Sequence, residues 1–111
     1  MLSTPAIAAC DGRTEYTVDG DTFCISDINL NWWSAANWCK ANGMRLATMY
    51  EVCPDWNGNT GNACGRTFSF SKFCWTATVN GSNAVFDVAP SAGTVSLATS
   101  RNGSDRALCT N

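Results

Sequence analysis

The residues of this chain most able to do chemistry are its cysteines. Seven of them stand among 111 residues, a density that indicates either disulfides or metal ligation. A structural zinc site needs thiolates about two to four residues apart, often with histidine. Successive cysteines here are ten to thirty-five residues apart, and the chain has no histidine. The spacing therefore predicts disulfides, no metal and no cofactor, and it places the protein in an oxidising compartment, secreted or on a cell surface.

Local patterns indicate two of the disulfides. The Asp19-Gly20 turn predicts a β-hairpin. Cys10 and Cys24 flank it, so a Cys10–Cys24 bond would close the open end of the hairpin. Segment 54–66 is rich in Asn, Gly and Thr, which predicts an exposed loop. A Cys53–Cys64 bond would close that loop at its base.

The tryptophan-rich stretch 31–43 predicts the helix around which the chain is organised. Its ends are marked by Asn31 as N-cap and by Gly43 as the left-handed residue that closes the last turn. One apolar stripe at helical spacing comprises Trp32, Ala35, Ala36 and Cys39. Because Cys39 lies on this stripe, we expect it to bond Cys109 in the last strand, a link worth about 4 kcal/mol in the chain-entropy model.

The rest of the sequence predicts short elements of both kinds. Thr48 and Glu51 form a capping-box pattern, which predicts a second brief helix ended by Pro54. Segments 73–78, 84–88, 94–99 and 106–109 alternate with turn signals and predict an antiparallel meander. The fold class is therefore α+β, with two short helices on antiparallel sheets.

An odd number of cysteines leaves one without a partner in the chain. With the three pairs above assigned, Cys74 remains as a buried free thiol. In the competing assignment Cys10 is the odd cysteine, and Cys24 or Cys53 bonds Cys74. Residues 7–10 are also similar to a bacterial lipoprotein cleavage site, but an ordinary disulfide cysteine is the favoured interpretation.

Length and charge limit the organisation and the partners. A chain of this length suits one domain, which we place at 10–111, with 1–9 as a flexible N-terminus or the remnant of an export or anchoring segment. Only 14% of the residues are charged, the net charge is −2, and no basic run is present. Nucleic acid and anionic membranes are therefore not expected as partners.

One set of residues follows a recognisable pattern: Trp32-x-x-Ala35-x-x-x-Cys39-x-x-x-Gly43-x-x-Leu46-Ala47, Glu51 in the second helix, Trp75-Thr76, and Cys109. This pattern resembles the C-type lectin-like fold, and the resemblance covers roughly residues 13–110. It includes lectin-like domains of bacterial surface and pilin-type proteins, in which an Asn-Trp-Trp-Ser-Ala helix, a Leu-Ala-Thr step and a closing Arg-Ala-Leu-Cys recur. The family pairs its helix cysteine with its last cysteine, which agrees with Cys39–Cys109.

The family's calcium-dependent sugar site is not expected here. That site uses Glu-Pro-Asn or Gln-Pro-Asp together with Trp-Asn-Asp, and none of these tripeptides occurs in the chain. Calcium needs about six to eight oxygen ligands, whereas Asp87 and Asp105 of the second half are expected to be isolated. The resemblance without this site implies a scaffold that displays loops.

Catalysis is not expected either, because the chain has no imidazole base and no nucleophile motif. Asp55 and Glu51 could approach each other, but helix capping already explains Glu51. Two Asn-Gly-Ser sequences, at Asn80 and Asn102, match the glycosylation sequon, although a hairpin turn suffices to explain each.

The candidate contact residues lie in the predicted loops. They are Trp56, Asn57, Asn59, Asn80, Arg101 and Asn102. Trp56 has two interpretations, a packing residue and a solvent-facing contact, of which packing is slightly favoured. Trp32 and Trp75 are expected in the core. Trp33 and Trp38 point to other faces of the helix, so at least one should pack on the hairpin or stay partly exposed.

These features predict an extracellular binding or display domain of a bacterial pilin-like or adhesin-like protein. Its partner would be a protein or glycan on a surface, bound through loop 54–66 and the turns 80–83 and 101–105. One alternative is a structural subunit that self-assembles through an anchored N-terminus, which an apolar patch at Trp33 or Trp38 would favour. Another is a receptor-binding domain whose segment 94–105 varies in sequence.

Overall fold

The computed structural model describes residues 14–81 and 83–111 of the chain. This part is α+β, as the sequence predicts. The helices are α1 (Trp32–Ala41) and α2 (Met49–Val52). The strands are β1 (Glu15–Val18), β2 (Asp21–Ile25), β3 (Arg45–Leu46), β4 (Gly61–Asn62), β5 (Cys74–Asn80), β6 (Ala84–Ala89), β7 (Thr94–Ala98) and β8 (Arg106–Thr110). The predicted segment 1–9 and Cys10 lie outside the described residues.

Helix α1 has the two ends that its sequence marks. The Asn31 side chain accepts a hydrogen bond from the Ser34 amide at 2.8 Å. At the other end Gly43 is left-handed, with φ +75°, and the Met44 amide donates to the Cys39 carbonyl at 2.9 Å. Polar groups of the first and last turns are thus paired within the chain.

Helix α2 is a single turn held by its capping box. The Glu51 amide donates to the Thr48 hydroxyl at 3.2 Å, and the Thr48 amide donates to the Glu51 carboxylate at 2.8 Å. Arg45 binds the same carboxylate, with Nη1 at 2.7 Å from Oε1.

Neither α1 nor α2, the helices of the described part, has the length and apolar character of a membrane-spanning helix.

The strands form one mixed sheet rather than purely antiparallel ones. Strand order is β1-β2-β8-β5-β6-β7-β4, with β3 also paired to β8. Strands β5, β6 and β7 form the predicted antiparallel meander, but β8 does not continue it. Instead β8 runs parallel to β5 and antiparallel to β2, so the expectation of antiparallel sheets alone is wrong.

The outer edge of β7 is occupied by β4 rather than by β8. A fourth strand of the meander would lie beside β7, where Gly61 of β4 is instead opposite Val95. The Cys64 amide, donating to the Gly93 carbonyl at 3.1 Å, fixes the loop there. Strand β8 lies between β2 and β5, where both of its edges are paired.

The sheet separates two buried clusters in the described part. Residues of β6 alternate between them: Phe86 and Val88 face one cluster, and Val85 faces the other. The first cluster includes Phe23, Ile25, Met49, Val52, Trp56, Phe86, Val88 and Leu108. The second lies under α1 and includes Ala35, Cys39, Leu46, Trp75, Val85, Ala107 and Cys109.

Disulfides join α1 to the sheet and close the loop. Cys39 of α1 is bonded to Cys109 of β8, and Cys53 is bonded to Cys64; both pairs are the ones predicted. Cys74 is a buried free cysteine, also as predicted. Cys24 is disulfide-bonded; the Cys10–Cys24 pairing stays a prediction, because Cys10 lies outside the described residues.

Candidate functional site

The loop that joins β7 to β8, residues 99–105, is fixed to the start of α1 by backbone hydrogen bonds. The Leu30 amide donates to the Asp105 carbonyl at 2.8 Å, and the Asp105 amide donates to the Leu30 carbonyl at 3.1 Å. The Trp32 amide donates to the Arg101 carbonyl at 3.0 Å. The loop and the helix start therefore form one surface, which we call the α1–loop surface (residues 30–33 and 99–105).

Trp32 and Arg101 stack at the centre of the α1–loop surface. The Arg101 guanidinium lies over the Trp32 ring, 4.6 Å from its centroid, in a cation–π arrangement. The Trp32 indole also donates to the Thr76 carbonyl of β5 at 2.9 Å, so the ring cannot turn without losing a bond to the sheet. Arg101 Nε is buried and has no hydrogen-bond partner in the described part of the chain.

Trp33 provides the exposed aromatic group of this surface. Its side chain is 48% exposed, and its ring meets the Trp32 ring edge-on at 6.1 Å between centroids. Trp38, by contrast, is partly buried against the cluster under α1. An exposed indole is a group that suits contact with sugar rings and aromatic side chains.

Two carboxyl groups meet at the base of loop 99–105. Asp87 of β6 is 7% exposed and lies opposite Trp75 and Ser96 on the neighbouring strands. Burial, together with a hydrogen bond to the Asp105 carboxyl, raises the pKa of Asp87 to about 8. Burial also raises the pKa of Asp105. The pair therefore retains a proton at neutral pH, as two adjacent carboxyl groups do.

The expectation that Asp87 and Asp105 are isolated is wrong. Their approach depends on β8 lying beside β5, which no local pattern in the sequence indicates.

Within residues 14–81 and 83–111, no group of three or more His, Cys, Asp or Glu is placed to hold a metal ion. Burial, with the nearby Asp105, raises the pKa of the Cys74 thiol well above its ordinary range, so this thiol stays protonated and is a poor nucleophile.

Trp56 is a packing residue, which is the interpretation that its sequence context slightly favours, rather than a solvent-facing contact. It is only 7% exposed. Its ring meets Phe86 at 4.9 Å and Tyr50 at 5.1 Å between centroids. The indole N–H donates to the Asn59 carbonyl at 2.9 Å, so the loop itself satisfies the polar group and lets the ring be buried.

The remaining candidate residues fall in separate places. Asn57 and Asn59 are exposed in loop 54–66 and bond to each other, with the Asn59 amide donating to Asn57 Oδ1 at 3.0 Å. That loop covers the Phe86 side of the sheet, whereas Arg101 and Asn102 lie on the α1 side. Asn80 is exposed at the end of β5. Only Arg101 and Asn102 therefore share the α1–loop surface with Trp33, which was not among the candidate contact residues.

A concave region away from the α1–loop surface depends on Arg66, a residue that the sequence did not single out. It lies between the β1–β2 turn and loop 54–66 and includes Asp19, Asp55 and Arg66. Arg66 donates to the Glu51 carbonyl at 2.6 Å and to the Val52 carbonyl at 3.0 Å, the free carbonyls of α2. Its guanidinium is thus used inside the protein, and the region offers no convergent free donors.

Neither carboxyl of the Asp87–Asp105 pair lines this concave region.

Comparison with protein-family models, with curated proteins and with solved structures found no match to the chain.

Proposed function

We propose that this chain is an extracellular binding or display domain of the C-type lectin-like class, without that family's calcium-dependent sugar site. In this proposal it belongs to a bacterial surface protein of pilin-like or adhesin-like type. It contacts a protein or glycan on another surface through the α1–loop surface. The proposal rests on loop 99–105 and Trp33 rather than on loop 54–66, because Trp56 of that loop is buried.

One observation carries the proposal: the exposed Trp33 indole packs against Trp32, whose own ring is fixed by contacts within the unbound protein. Trp33 is held by Trp32, and Trp32 is held from both sides, by Arg101 and by the Thr76 carbonyl. Side chains that are ordered before binding lose little conformational entropy on contact. Exposed tryptophan and arginine are also the residue types that dominate binding energies at interfaces.

The disulfides support the extracellular part of the proposal. Cytosolic thiols are kept reduced, so a chain with bonded Cys39–Cys109 and Cys53–Cys64 fits a secreted or surface location. A binding role also fits the chemistry better than catalysis does. The Asp87–Asp105 carboxyl pair does not favour catalysis, because Asp87 is too deeply buried to meet a substrate.

A structural, self-assembling subunit is the second candidate, and the exposure of Trp33 favours it specifically. An aromatic side chain that is half exposed on a protein of low charge can also contact a second copy of the same chain. The two candidates differ in what covers Trp33: a foreign ligand in the first, another copy in the second.

The test compares the purified domain with Trp33→Ala and Arg101→Ala variants on an array of immobilised glycans and on a panel of immobilised extracellular proteins. Tyr50→Ala is the matched control, since Tyr50 is 56% exposed but belongs to α2. Binding to a defined subset of the array, weakened by the first two substitutions and unchanged by the third, supports the proposal. Binding that Tyr50→Ala alone abolishes would overturn the assignment to this surface.

Sedimentation of the same proteins over a wide concentration range separates the second candidate. A mass that rises with concentration in the wild type, but not in Trp33→Ala, would establish self-association through Trp33. A monomer at every concentration would eliminate it.

A further inference from the structure

We propose that Asn80 and Asn102 are sites of spontaneous deamidation in the folded protein, whereas Asn42 is protected. The chain contains four Asn-Gly sequences, beginning at Asn42, Asn57, Asn80 and Asn102. Asn-Gly is the pair in which this reaction is easiest, because glycine has no Cβ to hinder its backbone nitrogen.

The reaction needs only water. The glycine nitrogen loses its proton and attacks Cγ of the asparagine, and the side-chain amide leaves as ammonia, which gives a five-membered succinimide. Water then opens the ring at either carbonyl, to aspartate or isoaspartate. The net change replaces a neutral amide by a carboxylate. The glycine N–H and the asparagine side chain must both be free to adopt the attacking geometry.

Neither the Asn42 side chain nor the Gly43 amide is free to adopt the attacking geometry. Its side-chain amide donates to the Trp38 carbonyl at 2.8 Å. The amide of Gly43, which would be the nucleophile, donates to the Lys40 carbonyl at 3.0 Å as part of the α1 C-terminus. Both hydrogen bonds must break before attack, and each stabilises the closed geometry.

Asn57 is in an intermediate position. It is exposed, but its side-chain oxygen accepts from the Asn59 amide at 3.0 Å. This bond holds the side chain in one orientation and leaves the Gly58 nitrogen unconstrained by it. One hydrogen bond therefore opposes the reaction at Asn57, whereas two oppose it at Asn42.

Asn80 and Asn102 lack these restraints. Both are exposed, and in residues 14–81 and 83–111 neither side-chain amide has a hydrogen-bond partner. The Gly103 amide approaches the Ser100 carbonyl only at 3.5 Å, the outer limit of a hydrogen bond. Asn80 is the last residue of β5, directly before the turn residue Gly81, and Asn102 lies in a turn; at both sequences the exposed side chain is without a restraining hydrogen bond in the described part of the chain.

Reaction at Asn102 would alter the α1–loop surface. A carboxylate would appear next to Arg101, whose guanidinium lies over Trp32. The new group would compete for that guanidinium and add a negative charge to a chain whose net charge is already −2.

The experiment incubates the disulfide-intact protein at neutral pH and physiological temperature. At intervals, peptide mapping by mass spectrometry quantifies the product at each sequence. The reduced, alkylated and denatured chain is the reference, since all four sequences are unrestrained there. We expect Asn42 to react at least about tenfold more slowly in the folded protein than in the reference, because two hydrogen bonds must open. Asn80 and Asn102 should react in the folded protein at rates close to the reference.

Gly103→Ala provides a matched variant. A Cβ at Gly103 would lie 3.5 Å from the nearest atom, a carbon of Trp75, and this glycine is not left-handed, so alanine fits. The substitution should lower the Asn102 product while leaving Asn80 at the wild-type rate. Gly81→Ala is a poor control because Gly81 has φ +87°.

The products give a readout that does not depend on any variant. A succinimide opens to both aspartate and isoaspartate, so both should be found at Asn80 and Asn102. Aspartate without isoaspartate would overturn the proposed route. Equal rates at Asn42 and Asn102 in the folded protein, or equal protection of all four, would overturn the assignment of sites.

Discussion

Removal of the Cys39–Cys109 bond should destabilise the protein more than removal of the Cys53–Cys64 bond does. The change is a double substitution to alanine at each pair, Cys39→Ala with Cys109→Ala and Cys53→Ala with Cys64→Ala. All four cysteines are buried, so both variants lose two buried sulfur atoms. The variants differ chiefly in the length of chain that each bond closes.

That length sets the size of the expected effect. The first bond spans 70 residues and the second spans 11. In the chain-entropy model these loops correspond to about 4.4 and about 2.8 kcal/mol, so the difference is about 1.6 kcal/mol. The first bond also joins α1 to β8, whereas the second joins two ends of a single loop.

The measurement is urea unfolding of the wild type and both variants, followed by tryptophan fluorescence. The denaturant slopes must agree for the free energies to be compared, and non-reducing peptide mapping must show that the remaining bonds have not rearranged. An equal loss in the two variants, or a larger loss for the 11-residue loop, would refute the reasoning from loop length.

Three further results are expected. The native protein keeps a proton on Asp87 up to about pH 8, whereas an unfolded aspartate releases it near pH 4; the free energy of unfolding should therefore fall as pH rises through this range. In urea unfolding at a series of pH values, Asp87→Asn should lose less free energy of unfolding between about pH 4 and pH 8 than the wild type does. A wild type that becomes more stable relative to Asp87→Asn as pH rises would contradict the prediction. The hydrogen bonds from Arg45 lower the pKa of Glu51 to about 2, so the stability advantage of the wild type over Glu51→Gln should be present at neutral pH and disappear as pH falls from about 4 to 2. Calcium and EDTA should leave the melting temperature unchanged in a thermal scan, since a ligand that binds only the native state would raise it; a calcium-dependent rise would reveal a site that the sequence motifs did not predict.

The elements that the sequence predicted are the ones whose signals are local. The caps of α1 and α2 join groups within a few residues, as Asn31 to Ser34 and Thr48 to Glu51 illustrate. The Asp19-Gly20 turn has positive φ at both residues, which is the conformation that such a pair favours. Each of these can be deduced without knowledge of the rest of the fold.

The features that the sequence did not predict all depend on distant parts of the chain. Strand β8 runs beside β5, and β4, from a distant loop, lies at the edge of β7 where the meander would have continued. Trp56 lies in a polar loop, but Phe86 is beneath it and Asn59 satisfies its N–H. Composition predicts that such a loop is exposed, yet it cannot indicate what lies below a single ring.

In the candidate site, too, the local features were predicted and the contacts between distant parts of the chain were not. Arg101 and Asn102 were singled out from their turn, but the partner that makes Arg101 part of a surface is Trp32 on α1. Trp33 was expected only as one of two tryptophans, with Trp38, of which at least one packs on the hairpin or stays partly exposed, because a helical pattern alone does not indicate which exposed face has a neighbour. The resemblance to the C-type lectin-like fold stays a prediction.

Amide hydrogen exchange at the start of α1 and in loop 99–105 tests the account most directly, because the proposed function requires a contact surface that is formed before any ligand binds. The amides of Leu30, Trp32 and Asp105 donate hydrogen bonds across this surface, so they should be protected to a degree comparable with the amides of β8. Exchange at these three amides as fast as in an unstructured peptide, with β8 still protected, would contradict the account.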